Sequence, residues 1–288
     1  MSQPTSVLFD VPGPRAQRRN NGVGIIGATI VVGLLLLVIW RAWSKGAITP
    51  DRFSAYTDPE LLNGLLEAIL NTIKAAGAAI LLALVFGAVF CLLRLSDRAW
   101  IRWPAVAVIE FFRATPLLLL ILFLYLGFAE TLGVYGALVV GLMLYNGSVL
   151  AEIFRAGVAA VPRGQSEAAY AIGMRKSQVL WLILVPQAVR AMLPAIISQC
   201  VVALKDTSLG FVIGYAELAR FNKLVYTAEN NILASTIVVT AIYIAMNFGL
   251  SRVAVWLERR QSRGGGPSLG PDMHVEAPRI EGSPNLVP

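Results

Sequence analysis

The sequence holds one histidine and two cysteines in 288 residues, and only 14% of it is charged. A single imidazole, His274, leaves no partner for a histidine metal site, an H-E-x-x-H protease centre or a histidine proton relay. Cys91 and Cys200 both lie in apolar stretches. They are too few and too deep for a disulfide framework or a cysteine-rich metal site, and they read as small apolar residues. No G-x-x-x-x-G-K-[ST] segment occurs, so the chain carries no phosphate-binding loop of its own. The apolar stretches hold no paired aspartates and no Ser–His arrangement, which gives an intramembrane enzyme little to work with. The catalytic and metal-ligand sets are therefore empty, and no cofactor is expected.

What fills the chain instead is apolar. Hydrophobic residues make up 57%, and the mean hydropathy is +0.68. They gather into blocks, each near the ~20 residues that cross a bilayer. Clear blocks run over 22–43, 65–93, 104–129, 132–154 and 232–256, and a less obvious one, holding Lys205 and Asp206, over about 188–214. The expected fold is all-α, a polytopic membrane protein with about six transmembrane helices set in membrane lipid. The first block is long and ends in Trp40, Arg41, Trp43 and Lys45, which reads as a retained span at 23–43, not a cleaved signal.

The net charge of +7 would raise nucleic acid as a partner in a soluble protein, but the placement of the cations gives a better account. With the N-terminus inside, fourteen Lys and Arg fall on inner segments and five on outer ones. Both termini are thus expected in the cytoplasm, residues 1–22 forming the N-terminal segment. Arg220 falls outside the spans and reads as a solvated charge. Residues 259–288, with Gly264 to Gly266 and five prolines from Pro267 onward, read as a disordered cytoplasmic tail.

One cytoplasmic segment, 160–186, is neither a plain loop nor a plain span. Pro162 and Gly164 can start a helix, and Gly173 can end it in a left-handed conformation. Ser177 can then cap a second, almost wholly apolar helix that stops before Pro186. Ala168, Ala169 and Ala171 line the first helix, so a partner groove could approach its backbone closely.

Glu167-Ala168-Ala169, Gly173, Ile183 and Pro186 resemble the EAA loop of the membrane-spanning permease subunits of bacterial ABC importers. The likeness extends to the polar amino acid subfamily. Glu110 to Leu117 resembles its E-F-x-R-G-T-P-L segment, and Ala151 to Gly157 its A-E-x-x-R-G-G segment. Pro186-Gln187-Ala188 with Arg190 and Pro194, and Leu204 to Leu209, complete an ordered set over roughly 60–258. Departures are Ala114 and Ala156 for glycine, Ile172 for leucine and Gln199 for asparagine. The resemblance implies a five-helix permease core at 60–258 behind one extra N-terminal helix. In such proteins the loop docks into a groove on an ATPase, which would give Gly164, Glu167, Ala168, Ala169 and Gly173 a coupling role. It also implies an ABC ATPase dimer that binds the ATP, a second permease subunit, an extracellular amino acid-binding protein and a small polar amino acid as cargo. The extra span and long tail resemble the larger member of glutamate-type permease pairs, which points to a heterodimer and to glutamate.

Two charged sets within the blocks invite a role in the substrate path. Glu110 and Arg113 are three apart on the third span, face one side and can pair, as a structural pair near the inner interface or as part of a gate. Thr115-Pro116 follows and should kink that helix. If the fifth span begins near Pro194, Lys205 lies roughly 16 Å in, near mid-membrane. Asp206, Thr207 and Ser208 would then belong to a helix break facing a cavity. If the span begins at Gln187, Lys205 lies near the outer interface. Glu152 and Arg155 read as structural neighbours of the docking loop. An ion-coupled carrier using Asp206, Glu110 and Lys205 is the alternative function, and it leaves the EAA segment unexplained.

Overall fold

The computed structural model describes residues 14–262. Among them there are helices and no strands, as a chain that must satisfy its backbone inside lipid requires. Helix α1 spans Pro14–Ser44, so the polar residues expected before the first span are partly helical. The short α2, Pro50–Phe53, leads to α3, Pro59–Arg94, whose first turn is capped by Asp58 accepting from the Glu60 amide at 3.0 Å. Helix α3 is followed by α4, Ala99–Ala114, and α5, Leu117–Ala159. Next come α6, Arg163–Ala171, α7, Lys176–Gln178, and α8, Val185–Asp206. Helices α9, Leu218–Ala228, and α10, Ile232–Ser262, complete the order. The tail expected at 259–288 lies outside the described residues from 263 onward, as does the N-terminal segment before 14.

Helix α5 is two arms. Its backbone leaves the helical region at Phe128 and at Gly133, whose φ is +61°. A side chain on Gly141 would come within 2.8 Å of Ile121, a residue that a straight helix would hold about 30 Å away. The chain therefore doubles back between the arms, at the boundary read between the third and fourth blocks. Five stretches among the described residues are long and apolar enough to cross a membrane, and one of them is this doubled helix. Together they support the six-span reading.

The third span itself is corrected. It is not one kinked helix over 104–129: α4 ends at Ala114, and Thr115 and Pro116 are both extended. Proline removes an amide and also drives the residue before it out of the helical region, so two adjacent residues leave the helix together. Thr115 Oγ1 donates to the Phe111 carbonyl at 2.7 Å and closes the end of α4.

Small residues hold the bundle together. Along α3 the buried positions include Ala68, Thr72, Ala76, Ala79, Ala83 and Gly87, one face at helical spacing. It packs on the second arm of α5, where a side chain on Gly87 would meet Leu150 at 2.9 Å and one on Gly147 would meet Phe86 at 2.7 Å. Backbones approach this closely only where Cβ atoms are absent or small, the packing that substitutes for a hydrophobic drive between helices in lipid. Buried Asn146 receives the Gln199 amide from α8 at 2.7 Å, so the Gln-for-Asn departure is tied into the bundle. Helix α1 stands apart, with Val23, Ile30, Leu36 and Trp40 each more than half exposed.

Candidate functional site

The segment expected as a helical pair forms one. Helix α6 covers Arg163–Ala171, and Gly173 has φ +82°. The Gly173 amide donates to the Tyr170 carbonyl at 2.9 Å and the Met174 amide to that of Ala169 at 3.1 Å. These two bonds are the pattern of a glycine-terminated helix. Ala169 is buried, whereas Gly164, Glu167, Ala168 and Gly173 are exposed, and nothing among the described residues outside the immediate helix backbone lies within 4 Å of a side chain built on either glycine. Ile172 beside them is 79% exposed. The exposed surface of α6 and its C-terminal turn thus offers small residues, the Glu167 carboxylate, Arg163 and Gln165, and the apolar faces of Tyr170 and Ile172.

The second helix differs from expectation at both ends. It starts after Arg175, whose amide donates to Gln178 Oε1 at 2.8 Å, and not at a Ser177 cap. Nor does it stop before Pro186. Val179–Leu184 widens into a π-helix, the Val185 amide reaches back to the Leu180 carbonyl, and the helix continues as α8. The wider turn lets the chain pass a proline that has no amide to give, while the Gln187 side chain donates to the Ile183 carbonyl at 2.9 Å. Lys176 pairs with Asp97 and so ties this helix to the turn after α3.

Where α5 runs out toward α6, the structure assembles a chain of charges that sequence spacing did not show. Arg94, at the end of α3, donates to Glu152 Oε2 at 2.7 Å and lies 3.6 Å from Glu110. Arg155 Nε donates to Glu152 Oε1 at 2.8 Å, and Arg113 Nη1 to Glu110 Oε1 at 3.3 Å. Glu110 and Arg113 do pair, at the end of α4 beside Arg94. Glu152 is the hub, shared by Arg94 and Arg155. Ala114 and Ala156, which replace glycines, are both exposed, so neither crowds this chain's own packing.

Lys205 to Ser208 lie elsewhere. Helix α8 passes through Pro194 unbroken from Val185, so Lys205 stands about 30 Å along it, a full core thickness from its start. The expected break is a tightening: Thr207–Ile213 is a 3₁₀ helix closed by Gly214 at φ +86°. Lys205 is exposed, Asp206 and Ser208 half-buried, and Thr207 buried with its hydroxyl on the Leu204 carbonyl at 2.7 Å.

The end of the bundle opposite α6 carries a buried polar cluster that sequence reading missed. Thr72 and Arg94 are 22 residues apart on α3 and hence about 33 Å apart along it. At the Thr72 level Glu217 is fully buried at the N-terminus of α9. Its Oε2 accepts from the Ala219 amide and from the Tyr243 hydroxyl, each at 2.7 Å, and Oε1 from the Arg220 amide at 2.8 Å. Burial pushes this carboxyl above the usual range, and the three donors hold the rise in check. Thr72 accepts from the Leu218 amide at 3.2 Å, the Tyr215 hydroxyl donates to the Asn71 carbonyl at 3.0 Å, and the Asn71 amide to that of Ala216 at 3.0 Å. The only local signal was an acid just after a turn glycine and just before a helix, an N-cap position.

The comparisons with known proteins agree with this architecture. Residues 79–263 match the family described as binding-protein-dependent transport system inner membrane component. The glutamate transport system permease protein GluD of Corynebacterium glutamicum is 45% identical over 206 residues, 69% of this chain and 76% of that protein. The probable glutamine ABC transporter permease protein GlnP of Bacillus subtilis is 33% identical, over 74% of this chain and 100% of its own length. Among solved structures, a chain of an amino acid ABC transporter with histidines aligns with a TM-score of 0.68 at 29% identity, over 74% of this chain and 100% of that one. The chain therefore belongs to the inner membrane components of binding-protein-dependent transport systems, the permease family that its EAA segment resembles. The ion-coupled carrier falls away.

Proposed function

We propose that this chain is the permease through which a small polar amino acid, glutamate first among candidates, enters the cell. ATP is bound and hydrolysed by a separate ATPase dimer. The observation that carries the reading is α6: a short, capped, outward-facing helix at one end of the bundle, with Glu167, Ala168 and the bare backbones of Gly164 and Gly173 free for a partner. Its tether, through the π-helix into α8 and through Lys176 to Asp97, gives a push on α6 a rigid route into two spans. An extracellular binding protein supplies the amino acid, and a second permease of different sequence completes the path. Lys205, Asp206, Thr207 and Ser208 stand at its outer end, and Glu110 and Arg113 at its inner end.

Glu167→Lys should release the ATPase while the permease stays in the membrane, because it reverses a charge in a close groove contact, where an unpaired buried charge costs several kcal/mol. Co-purification of the ATPase at the wild-type level would count against the docking role. In the same reconstituted importer, Lys205→Met should depress amino acid uptake and leave assembly intact. Undiminished uptake would remove Lys205 from the path.

The excess of cations on the α6 side supports an orientation in which that end, and both termini, face the cytoplasm of a bacterial plasma membrane. Single cysteines at exposed Ser177 and Ser54, in a background lacking Cys91 and Cys200, should react with an impermeant thiol reagent from the inside and the outside respectively. The reverse pattern would invert the assignment.

A further inference from the structure

Between α3 and α9, at the end opposite α6, lies a cavity of about 190 Å³. Helical stripes form its walls: Gly64, Glu67 and Asn71 from α3, Arg220 and Phe221 from α9. Most of the polar groups around it are already spent. Both Glu217 oxygens are taken by the two amides and Tyr243, and the Asn71 amide is given to Ala216. Two charged groups remain, of opposite sign. Glu67 and Arg220 line the same cavity, and neither makes an ion pair among the described residues.

Arg220 was expected to be a solvated charge, and the structure half-buries it. Its guanidinium is bedded on the bare backbone of Gly214, where a Cβ would sit 3.4 Å from Nη1. A planar guanidinium held in place presents a fork suited to a carboxylate. Phe221 lies across Gly64, where a Cβ would meet its ring at 3.3 Å, and gives the cavity an apolar wall for methylene groups. A half-buried cation, a free carboxylate and an apolar wall together match the three parts of an amino acid.

We propose that this cavity is an outer subsite for a free α-amino acid, with Arg220 taking the α-carboxylate and Glu67 the ammonium. The proposal rests on the permease reading above and adds where the cargo is first held by this chain. It reads the zwitterion common to amino acids and leaves the side chain to other contacts.

The test is equilibrium binding of L-glutamate and L-glutamine to the purified permease–ATPase complex without its binding protein, beside glutarate and glutaramate, which lack the ammonium. Glu67 is exposed, so Glu67→Gln should fold normally, weaken both amino acids at least ten-fold and leave both des-amino acids unchanged. Arg220→Met should weaken all four, and Arg220→Lys should recover part of the loss. Wild-type affinity in Glu67→Gln, equal effects on amino and des-amino ligands, or no binding by the wild type would overturn the subsite. Uptake by the wild-type importer with ATP and binding protein, run in parallel, separates the two ideas: its absence counts against the permease reading itself, its presence with unaltered variants against the subsite alone.

Discussion

Glu152→Ala is expected to lower the stability of the protein by about 2 kcal/mol, between the ~0–1 of an exposed ion pair and the ~3–5 of breaking a buried one. Arg94 is 19% exposed and Glu152 24%, so the pair is largely, not wholly, removed from water. Without Glu152, Arg94 loses its 2.7 Å partner, and Arg155 loses the carboxylate it grips from the same helix. Two guanidiniums would face each other with only Glu110, 3.6 Å from Arg94, to offset them. Arg113→Ala is the control, because its partner Glu110 is 54% exposed and the pair spans one turn of one helix. It should cost no more than about 1 kcal/mol. Thermal unfolding of the detergent-solubilised complex reads both, and equal midpoints for the two variants would show that Glu152 is no hub. A double-mutant cycle on Arg94 and Glu152 should return a coupling energy well above that of Glu110 and Arg113.

How legible these features were depends on the distance over which each is encoded. Gly173 could be read as a left-handed helix stop because an αL residue after a helix is a local requirement that glycine meets at little steric cost. The reversal between the arms of α5 was legible as a gap between two apolar blocks, with Gly133, at φ +61°, just beyond it. Prolines were recognised as events and misjudged in kind. Pro116 ended a helix, Pro194 sits inside one, and Pro186 is passed by a π-turn, because neighbouring carbonyls and side chains decide which outcome follows. The Arg94–Glu152 bond joins residues 58 apart, and nothing near either one announces the other. Glu217 was missed for the same reason: its acidity is visible in the sequence, but its partner Tyr243 arrives from α10, and the neighbouring Leu218 amide is met by Thr72 from α3.

Glu217→Ala should be the more damaging single change, at about 3 kcal/mol. Loss of the N-cap, which strands the Ala219 and Arg220 amides, costs ~1 kcal/mol, and the Tyr243 hydroxyl left without its acceptor adds roughly 1–3 kcal/mol. The stranded donors are the Ala219 and Arg220 amides and the Tyr243 hydroxyl. Tyr243→Phe removes one donor together with its need for a partner and should cost much less. The pH dependence has a definite sign. The Glu217 carboxyl is raised in the folded protein by burial, so the folded state holds its proton more tightly than the unfolded one. Its contribution is then fully present below the ordinary carboxylate range near pH 4.3 and is lost as pH rises through the higher folded value. Glu217→Gln cannot titrate and can accept with only one oxygen, so it should start from a lower midpoint at acid pH and show a flatter decline as pH rises. Melting midpoints of wild type and Glu217→Gln across that range decide it: parallel curves would mean that Glu217 titrates as an exposed acid does, and that burial at the head of α9 does not govern its proton.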